Sequence, residues 1–290
     1  MHTILKSNTK EIIIGIDKPF VMIGEKINPT GRKKLAAALI EGNLDYIREL
    51  AASQIAWGAD VLDINVGVPG IDEVAMVKRV VELVASLTDA PLCLDSANPD
   101  VLAAGLAAAP GKPLVNSVSG ETKKLETVLP LVKDRGAAVI GLTMDDNGIP
   151  KTAEERVAVA EKILNRAAQM GIPAEDVIID PLVLTVGSDS KAALVTLQTV
   201  DLLRRTFGVN VNLGASNVSF GLPERPTVNA AFLALGIQSG ATCSITDPQK
   251  FGQTVRAADL LLGRDPNSMR YLKYFRAAEK LREAEIQKAT

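Results

Sequence analysis

The sequence is poor in the residues that most nucleophilic and metal-dependent enzymes use. It has a single histidine, His2 at the start of the chain, and two cysteines among 290 residues. One histidine removes Ser-His-Asp triads and histidine-rich metal sites from consideration. Cys93 and Cys243 lie inside apolar runs without a second ligand at metal spacing. We therefore expect both to be reduced core residues of a cytoplasmic protein.

Aromatic residues, excess charge and long hydrophobic runs are also scarce. Aromatic residues make up 3% of the chain and the formal net charge is -2, which argues against base-stacking platforms and basic grooves for nucleic acid. No apolar run approaches the ~18 residues of a membrane span, and the first eleven residues lack the apolar segment of a signal peptide. We expect neither nucleic acid nor membrane as a partner. The 47% hydrophobic content is ample for a full core.

Short apolar runs alternate with helix-length segments along the chain. The clearest example is 91–95, where a buried strand ends in Asp95 and the helix start Asn98-Pro99 follows at once. Similar patterns predict eight strands, at 20–24, 61–65, 92–95, 114–117, 137–142, 177–180, 209–213 and 241–245. This alternation predicts an α/β chain of one domain, 1–290, with a (β/α)₈ TIM barrel over about 20–262. A doubly wound sheet would need a glycine-rich phosphate turn after its first strand, and none is present.

Two segments lie outside the eight repeats. The segment 11–16 predicts a hairpin or lid at the closed end of the barrel. The segment of about 268–288 predicts a charged helix with Met269, Leu272, Phe275 and Leu281 on one side. We expect this helix to pack on the barrel or on a dimer partner rather than on a membrane surface or nucleic acid.

Polar side chains follow the predicted strands, and the carboxyl ends of barrel strands share one rim. A carboxylate accepts two parallel hydrogen bonds from an N–H beside an exocyclic NH₂, and a carboxamide offers one donor and one acceptor. Acids and amides on one rim therefore suit a 2-amino-4-oxo pyrimidine ring, as in a pterin or guanine. The rim residues are Glu25, Asn28, Asn65, Asp95, Asn116, Ser117, Asp145, Asp146, Asp180, Asn212, Ser216, Asn217 and Asp247.

Two interpretations of single features stay open at this point. A Mg²⁺ or Mn²⁺ site built from Asp95, Asp180 and Asn116 competes with the heterocycle site, but an amide-rich rim is a poorer cage for a divalent ion. Arg225, held between Pro223 and Pro226, is predicted equally well to meet an anionic substrate tail or to lie on the surface.

Several strings of the sequence resemble one known family. They are Gly24-Glu-Lys-Ile-Asn28, Leu62-Asp-Ile-Asn-Val-Gly67, Cys93-Leu-Asp-Ser-Ala-Asn98, Asn116-Ser-Val-Ser119, Asp180-Pro181 and Gly214-Ala-Ser-Asn-Val-Ser-Phe-Gly-Leu-Pro223. They look like the pterin-binding methyltransferases, which act between methyltetrahydrofolate and a corrinoid protein. The resemblance runs from about 20 to 262. It implies a (β/α)₈ fold, a homodimer, tetrahydrofolate or 5-methyltetrahydrofolate as substrate, a cobalamin carried by a partner protein, and no metal bound by this chain.

The resemblance also implies roles for individual residues. Asn217 matches the family residue that hydrogen-bonds N5 of the folate, and Asp95 with Asn116 would hold the ring and share the proton. These three are the expected catalytic residues. The expected folate-binding residues are Asp95, Asn116, Asp180, Asn217, Glu25, Asn28, Ser216 and Asn65.

Dihydropteroate synthase shares the fold and the pterin pocket, and it is the nearest alternative. That enzyme has a lysine in the loop after its seventh strand and an Arg-x-His near its eighth. This chain has Asn217-Val-Ser-Phe220 and Cys243-Ser-Ile-Thr-Asp247 there, which favours the methyltransferase. A non-catalytic folate-binding barrel is the other alternative. The corrinoid partner, the pathway and the direction of transfer are not specified by the sequence.

Overall fold

The chain folds as a (β/α)₈ barrel with an added hairpin at its start. The computed structural model describes residues 1–289. For residues 285, 288 and 289 it describes the backbone only. Eight parallel strands form one sheet in the order β8-β7-β6-β5-β4-β3-β10-β9, and a bridge between Ile179 and Val211 closes it. The strands are β1 (Thr3–Lys6), β2 (Glu11–Ile14), β3 (Val21–Ile27), β4 (Val61–Ile64), β5 (Leu92–Asp95), β6 (Leu114–Ser119), β7 (Ala138–Leu142), β8 (Val177–Asp180), β9 (Asn212–Gly214) and β10 (Cys243–Thr246).

The helices of the described chain alternate with these strands, and the predicted fold class is confirmed. One helix, α1, was not predicted, because its N-cap residue Arg32 makes no side-chain capping hydrogen bond and gives no start signal. The helices are α1 (Lys33–Glu41), α2 (Asp45–Ala56), α3 (Glu73–Leu87), α4 (Pro99–Ala108), α5 (Thr122–Arg135), α6 (Ala153–Gln169), α7 (Ala192–Phe207), α8 (Arg225–Ser239), α9 (Pro248–Leu261) and α10 (Met269–Ala289).

Two apolar layers explain why the strands read as continuous hydrophobic runs. In β5, Leu92 and Leu94 belong to the layer between strands and helices, whereas Cys93 faces the barrel interior together with Cys243. Both faces of a barrel strand are thus buried in apolar surroundings. The two cysteines are free and buried, as the sequence predicted.

The N-terminal hairpin closes the amino end of the barrel. Leu5 of β1 and Ile14 of β2 belong to the interior cluster, so the predicted hairpin at the closed end is confirmed. The hairpin is tied down by paired backbone bonds of 2.9 Å between Lys6 and Lys112 and by a 3.0 Å bond from the Asn210 amide to the Ile14 carbonyl. Because this end is filled, ligands have access only from the opposite end.

The C-terminal helix packs on the barrel, as predicted, but with only one of the four predicted residues. Tyr274 and Ala278 of α10 are buried against Trp57, and the partly buried Leu281 packs on the same cluster. The Tyr274 hydroxyl donates to the Pro248 carbonyl at 3.2 Å. Met269, Leu272 and Phe275 stay exposed. No helix within residues 1–289 is long and apolar enough to cross a membrane.

Two glycines with the same φ allow a test of how tightly the hairpin packs on the barrel. Gly111 and Gly136 both have φ of +63°, but an added Cβ would overlap the Lys6 carbonyl at Gly111 and meet nothing within 4 Å at Gly136. We expect Gly136→Ala to cost only the left-handed strain, roughly 1–2 kcal/mol. Gly111→Ala should cost clearly more, because β1 must move. Urea unfolding measures both variants, and equal losses would contradict the tight docking of the hairpin.

Candidate active site

The carboxyl ends of the strands surround an open cavity of about 440 Å³, a usual size for a small-molecule site. The structure brings seven of the eight residues expected to bind folate into its wall. Asn65 is the exception, because its side chain lies behind Asp95 and contacts that carboxylate instead. The seven are Glu25, Asn28, Asp95, Asn116, Asp180, Ser216 and Asn217.

Several other rim residues have structural contacts outside the cavity wall. Asp247 accepts from the Gln249 backbone at the start of α9 and pairs with Lys26 at 3.3 Å. Asp146 accepts hydrogen bonds from Thr122. Asp247 caps α9 and Asp146 binds the start of α5, and such capping is the commoner role of an aspartate after a strand.

Asp95 is oriented by two amides. The side-chain amides of Asn28 and Asn65 donate to its Oδ2 at 3.2 and 3.0 Å. Asn65 is itself fixed, because its Oδ1 accepts from the Gly67 backbone at 2.8 Å. Within residues 1–289 no donor lies within hydrogen-bond distance of the second oxygen, Oδ1, which therefore remains as an acceptor for a ligand. Burial raises the pKa of Asp95.

A second carboxyl beside Asp95 was missed by the sequence reasoning. Asp63 is 1% exposed, lines the cavity and accepts from the Asn116 amide at 3.4 Å. Burial, and next the charge of Asp95, raise the pKa of Asp63 well above its usual range. Both causes favour the protonated form of Asp63. The missed signal is a charged residue in the middle of β4, on the alternate positions that face the barrel interior.

Asp180 lies across the cavity and already accepts two hydrogen bonds. Its Oδ1 accepts from the Leu182 backbone at 2.8 Å and its Oδ2 from the Asn212 amide at 2.7 Å. Burial raises the pKa of Asp180 to about 6. The carboxyl is mostly ionised at neutral pH and retains acceptor capacity for a ligand, since each oxygen has two lone pairs.

Arg225 holds the loop that carries Ser216 and Asn217. Its guanidinium donates to the Ser216 carbonyl at 2.8 Å and to the Ser219 hydroxyl at 3.1 Å, and it lies 5.6 Å from the Phe220 ring. Neither sequence interpretation fits, because Arg225 is half-buried and engaged in fixing this loop. The Asn217 amide makes no hydrogen bond to another side chain within the described residues, so it is available to a ligand.

The cavity wall presents hydrogen-bond acceptors that suit the N–H groups of a ligand. Among the described residues there is no group of three or more His, Cys, Asp or Glu side chains that could hold a metal ion. Carboxyls here are interleaved with amides, as at Asp95 with Asn28 and at Asp180 with Asn212. These carboxylate and amide oxygens can accept hydrogen bonds from the N–H groups of a planar nitrogen heterocycle.

Comparison with known proteins agrees with this geometry. The family model described as pterin binding enzyme matches residues 24–247, and the chain belongs to the family of pterin-binding enzymes. It is 31% identical over 264 residues to the methylcorrinoid:tetrahydrofolate methyltransferase of Eubacterium limosum, covering 88% of this chain and 96% of that protein. It is 31% identical over 247 residues to the methionine synthase of Mycobacterium tuberculosis, covering 81% of this chain and 21% of that longer protein.

Solved structures of dihydropteroate synthase share the fold. The enzyme from Xanthomonas albilineans with 4-aminobenzoic acid superposes with a TM-score of 0.69 at 21% identity, covering 90% of this chain and 99% of that one. The enzyme from Yersinia pestis superposes with a TM-score of 0.68 at 18% identity, covering 91% and 100%. At these identities the likeness describes the barrel and not the reaction.

The raised pKa of Asp180 predicts a stabilising substitution. An acid whose pKa is about 6 when folded and 3.8 otherwise binds more protons in the native state, so stability falls as the pH rises from about 4 to about 6. Asp180→Asn removes this loss. The avoided loss is about 3 kcal/mol at pH 7.5 and about 1 kcal/mol at pH 4.5, so the stability of the variant relative to the parent should be about 2 kcal/mol higher at pH 7.5 than at pH 4.5 without ligand.

Urea unfolding at the two pH values measures this difference. Asp146→Asn is the matched control, because hydrogen bonds from Thr122 lower the pKa of this exposed acid and its loss should not stabilise the fold. A stability difference between Asp180→Asn and the parent that is the same at both pH values would contradict the raised pKa of Asp180.

Proposed function

We propose that this chain transfers a methyl group between N5 of tetrahydrofolate and the cobalt of a corrinoid carried by a partner protein. The observation that carries the proposal is the meeting of Asp95, Asn116, Asp180 and Asn217 in one cavity at the open end of the barrel. Its support from outside the structure is the extended likeness to a methylcorrinoid:tetrahydrofolate methyltransferase.

In the proposed complex the two acids and one amide hold the pterin ring. The free Oδ1 of Asp95 and the ionised Asp180 accept from ring N–H groups and the exocyclic NH₂, each as a charge-assisted hydrogen bond. Asn116 supplies both a donor and an acceptor in the plane between them. Asn28, Glu25 and Ser216 complete the wall around the ring, and Asn65 keeps Asp95 in place.

Methyl transfer requires a stabilised nitrogen. When the C–N bond breaks, its electron pair stays on N5, which is a poor leaving group unless it gains a proton or a strong hydrogen bond. Asn217 donates to N5, and the Asn116 amide that contacts the ring also donates to Asp63, whose protonated form is favoured by burial. The site therefore stabilises developing charge rather than relying on one acid.

The corrinoid itself is a substrate held by the partner. A corrinoid protein as partner, a homodimer and a cytoplasmic location complete the proposal. The homodimer is supported by the family resemblance and by Leu194 on α7 and Leu235 on α8, which are both more than half exposed. The cytoplasmic location is supported by the two free cysteines.

The dihydropteroate synthase alternative is not favoured by the cavity. Asn217 occupies the loop where the resemblance places the lysine of that enzyme, and no lysine lines the cavity in the described chain. A non-catalytic folate-binding barrel would use the same ring contacts and differs only in the absence of turnover.

Two substitutions separate ring binding from methyl transfer. Asn217→Ala removes the donor to N5, so methyl transfer should fall on the order of 100-fold while the affinity for methyltetrahydrofolate changes little. Asp180→Asn removes an ionised acceptor for the ring and should weaken folate binding itself about tenfold or more. Absorbance of methylcobalamin formed from Co(I) cobalamin measures transfer, and calorimetry measures affinity.

Asp146→Asn, outside the cavity, is the control and should change neither quantity. Equal losses of affinity in the two variants without a separate loss of rate would refute the division of roles. A parent protein that binds methyltetrahydrofolate but never demethylates it would be a non-catalytic barrel. One that condenses a pterin pyrophosphate with 4-aminobenzoate would be a synthase.

A further inference from the structure

The charges in the cavity wall are very uneven. Four acids line it, and in the described chain Arg32 is the one cation that does so. Arg32 lies at the mouth, in the loop between β3 and α1, and is half-buried. The four acids are Glu25, Asp63, Asp95 and Asp180.

Neighbouring cations are already engaged, whereas Arg32 is not. Lys26 pairs with Asp247 and donates to Gln249 at 2.7 Å, and Lys34 lies 4.0 Å from the ring of Tyr46. Arg32 makes no ion pair or side-chain hydrogen bond with any residue in 1–289. An arginine that lines a cavity and has no protein partner is matched to an anionic group of the ligand.

We propose that Arg32 binds a carboxylate of the glutamate tail of the folate and so makes the site selective for tailed folates over bare pterins. The inference rests on the proposed function. A folate has two unlike ends, a neutral ring that donates N–H groups and a tail that is anionic at neutral pH. The acids of the cavity floor attract the ring and repel the anionic tail. The tail therefore extends out of the cavity mouth, where Arg32 lies.

Glu25 is the group that competes with the tail for Arg32. Its carboxyl feels the charge of Arg32 but lies beyond ion-pair distance, because no contact within 4 Å joins them. Burial raises the pKa of Glu25, which weakens its hold on the guanidinium. The tail carboxylate reaches Arg32 from the solvent side and has no such desolvation cost.

The Arg32 loop is connected to the ring site through Asn28. The Asn28 amide donates to Asp95 at 3.2 Å, and its oxygen accepts from the Thr30 backbone at 3.0 Å. The Arg32 backbone in turn donates to the Pro29 carbonyl at 2.9 Å. One side chain therefore fixes both the acid that binds the ring and the turn that presents Arg32.

The test compares three ligands on the parent protein and on variants at position 32. Calorimetry gives affinities for 5,6-dimethyltetrahydropterin, methyltetrahydrofolate and its triglutamate. Arg32→Gln should weaken both folates about 5- to 10-fold, the loss typical of one charge-assisted contact, and leave the bare pterin within about twofold. Arg32→Lys should recover part of the loss. Lys33→Gln, an exposed neighbour outside the wall, is the matched control and should change none of the three.

Added salt gives a second readout, because screening should narrow the gap between parent and Arg32→Gln for the folates only. Unchanged folate affinity in Arg32→Gln, or an equal loss for the bare pterin, would overturn the assignment of Arg32 while leaving the proposed function intact. A parent protein that binds none of the three ligands would instead overturn the proposed function, and the tail subsite with it.

Discussion

The alignment of parallel strands in a closed barrel is the constraint on which the site depends. The ladder pairs Asp95 of β5 directly with Asn116 of β6, and Asp63 of β4 with Cys93 of β5. Neighbouring strands thus deliver acid, amide and acid to the same end of the sheet, and the loop residues Asn28 and Asn65 then orient Asp95. A slip of one residue would turn each of these side chains to the opposite face of the sheet. The hydrogen bonds that form the barrel therefore also assemble the cavity.

The same alignment separates the two ends of the barrel. Apolar residues from seven of the barrel strands and from the hairpin fill the amino end, whereas the carboxyl end holds four acids that the protein compensates only in part. Burial raises the pKa of Asp63, Asp95 and Asp180, so these groups oppose folding when no ligand supplies donors. The sealed end and the helix layer offset that cost. A preorganised polar site commonly lowers the stability of the fold, and the packing elsewhere offsets this loss.

Much of this arrangement could be predicted from the sequence, because strands buried on both faces and acids at their ends leave clear patterns. Asp95 and Asp180 were found in this way. Asp63 was missed because it lies within an apolar run. Only the structure shows that its side chain is on the face of β4 that lines the cavity. The choice between Arg225 and Arg32 required the tertiary structure. Both follow a strand and lie near proline, but only contacts across loops show that Arg225 binds its own loop and that Arg32 faces the cavity.

The use of a neutral amide at position 217 follows from the charges around it. In a cavity with four acids, a lysine there would be drawn into an ion pair with the nearest carboxylate, and a fifth acid would be held protonated by its neighbours. An amide donates a hydrogen bond without adding charge, and in the proposed reaction it would stabilise N5 equally whether the methyl group departs or arrives. The chain therefore favours neither direction of the proposed methyl transfer. The free-energy difference between the folate and the corrinoid substrate sets the direction instead, and this is why a barrel of this kind can serve pathways that run either way.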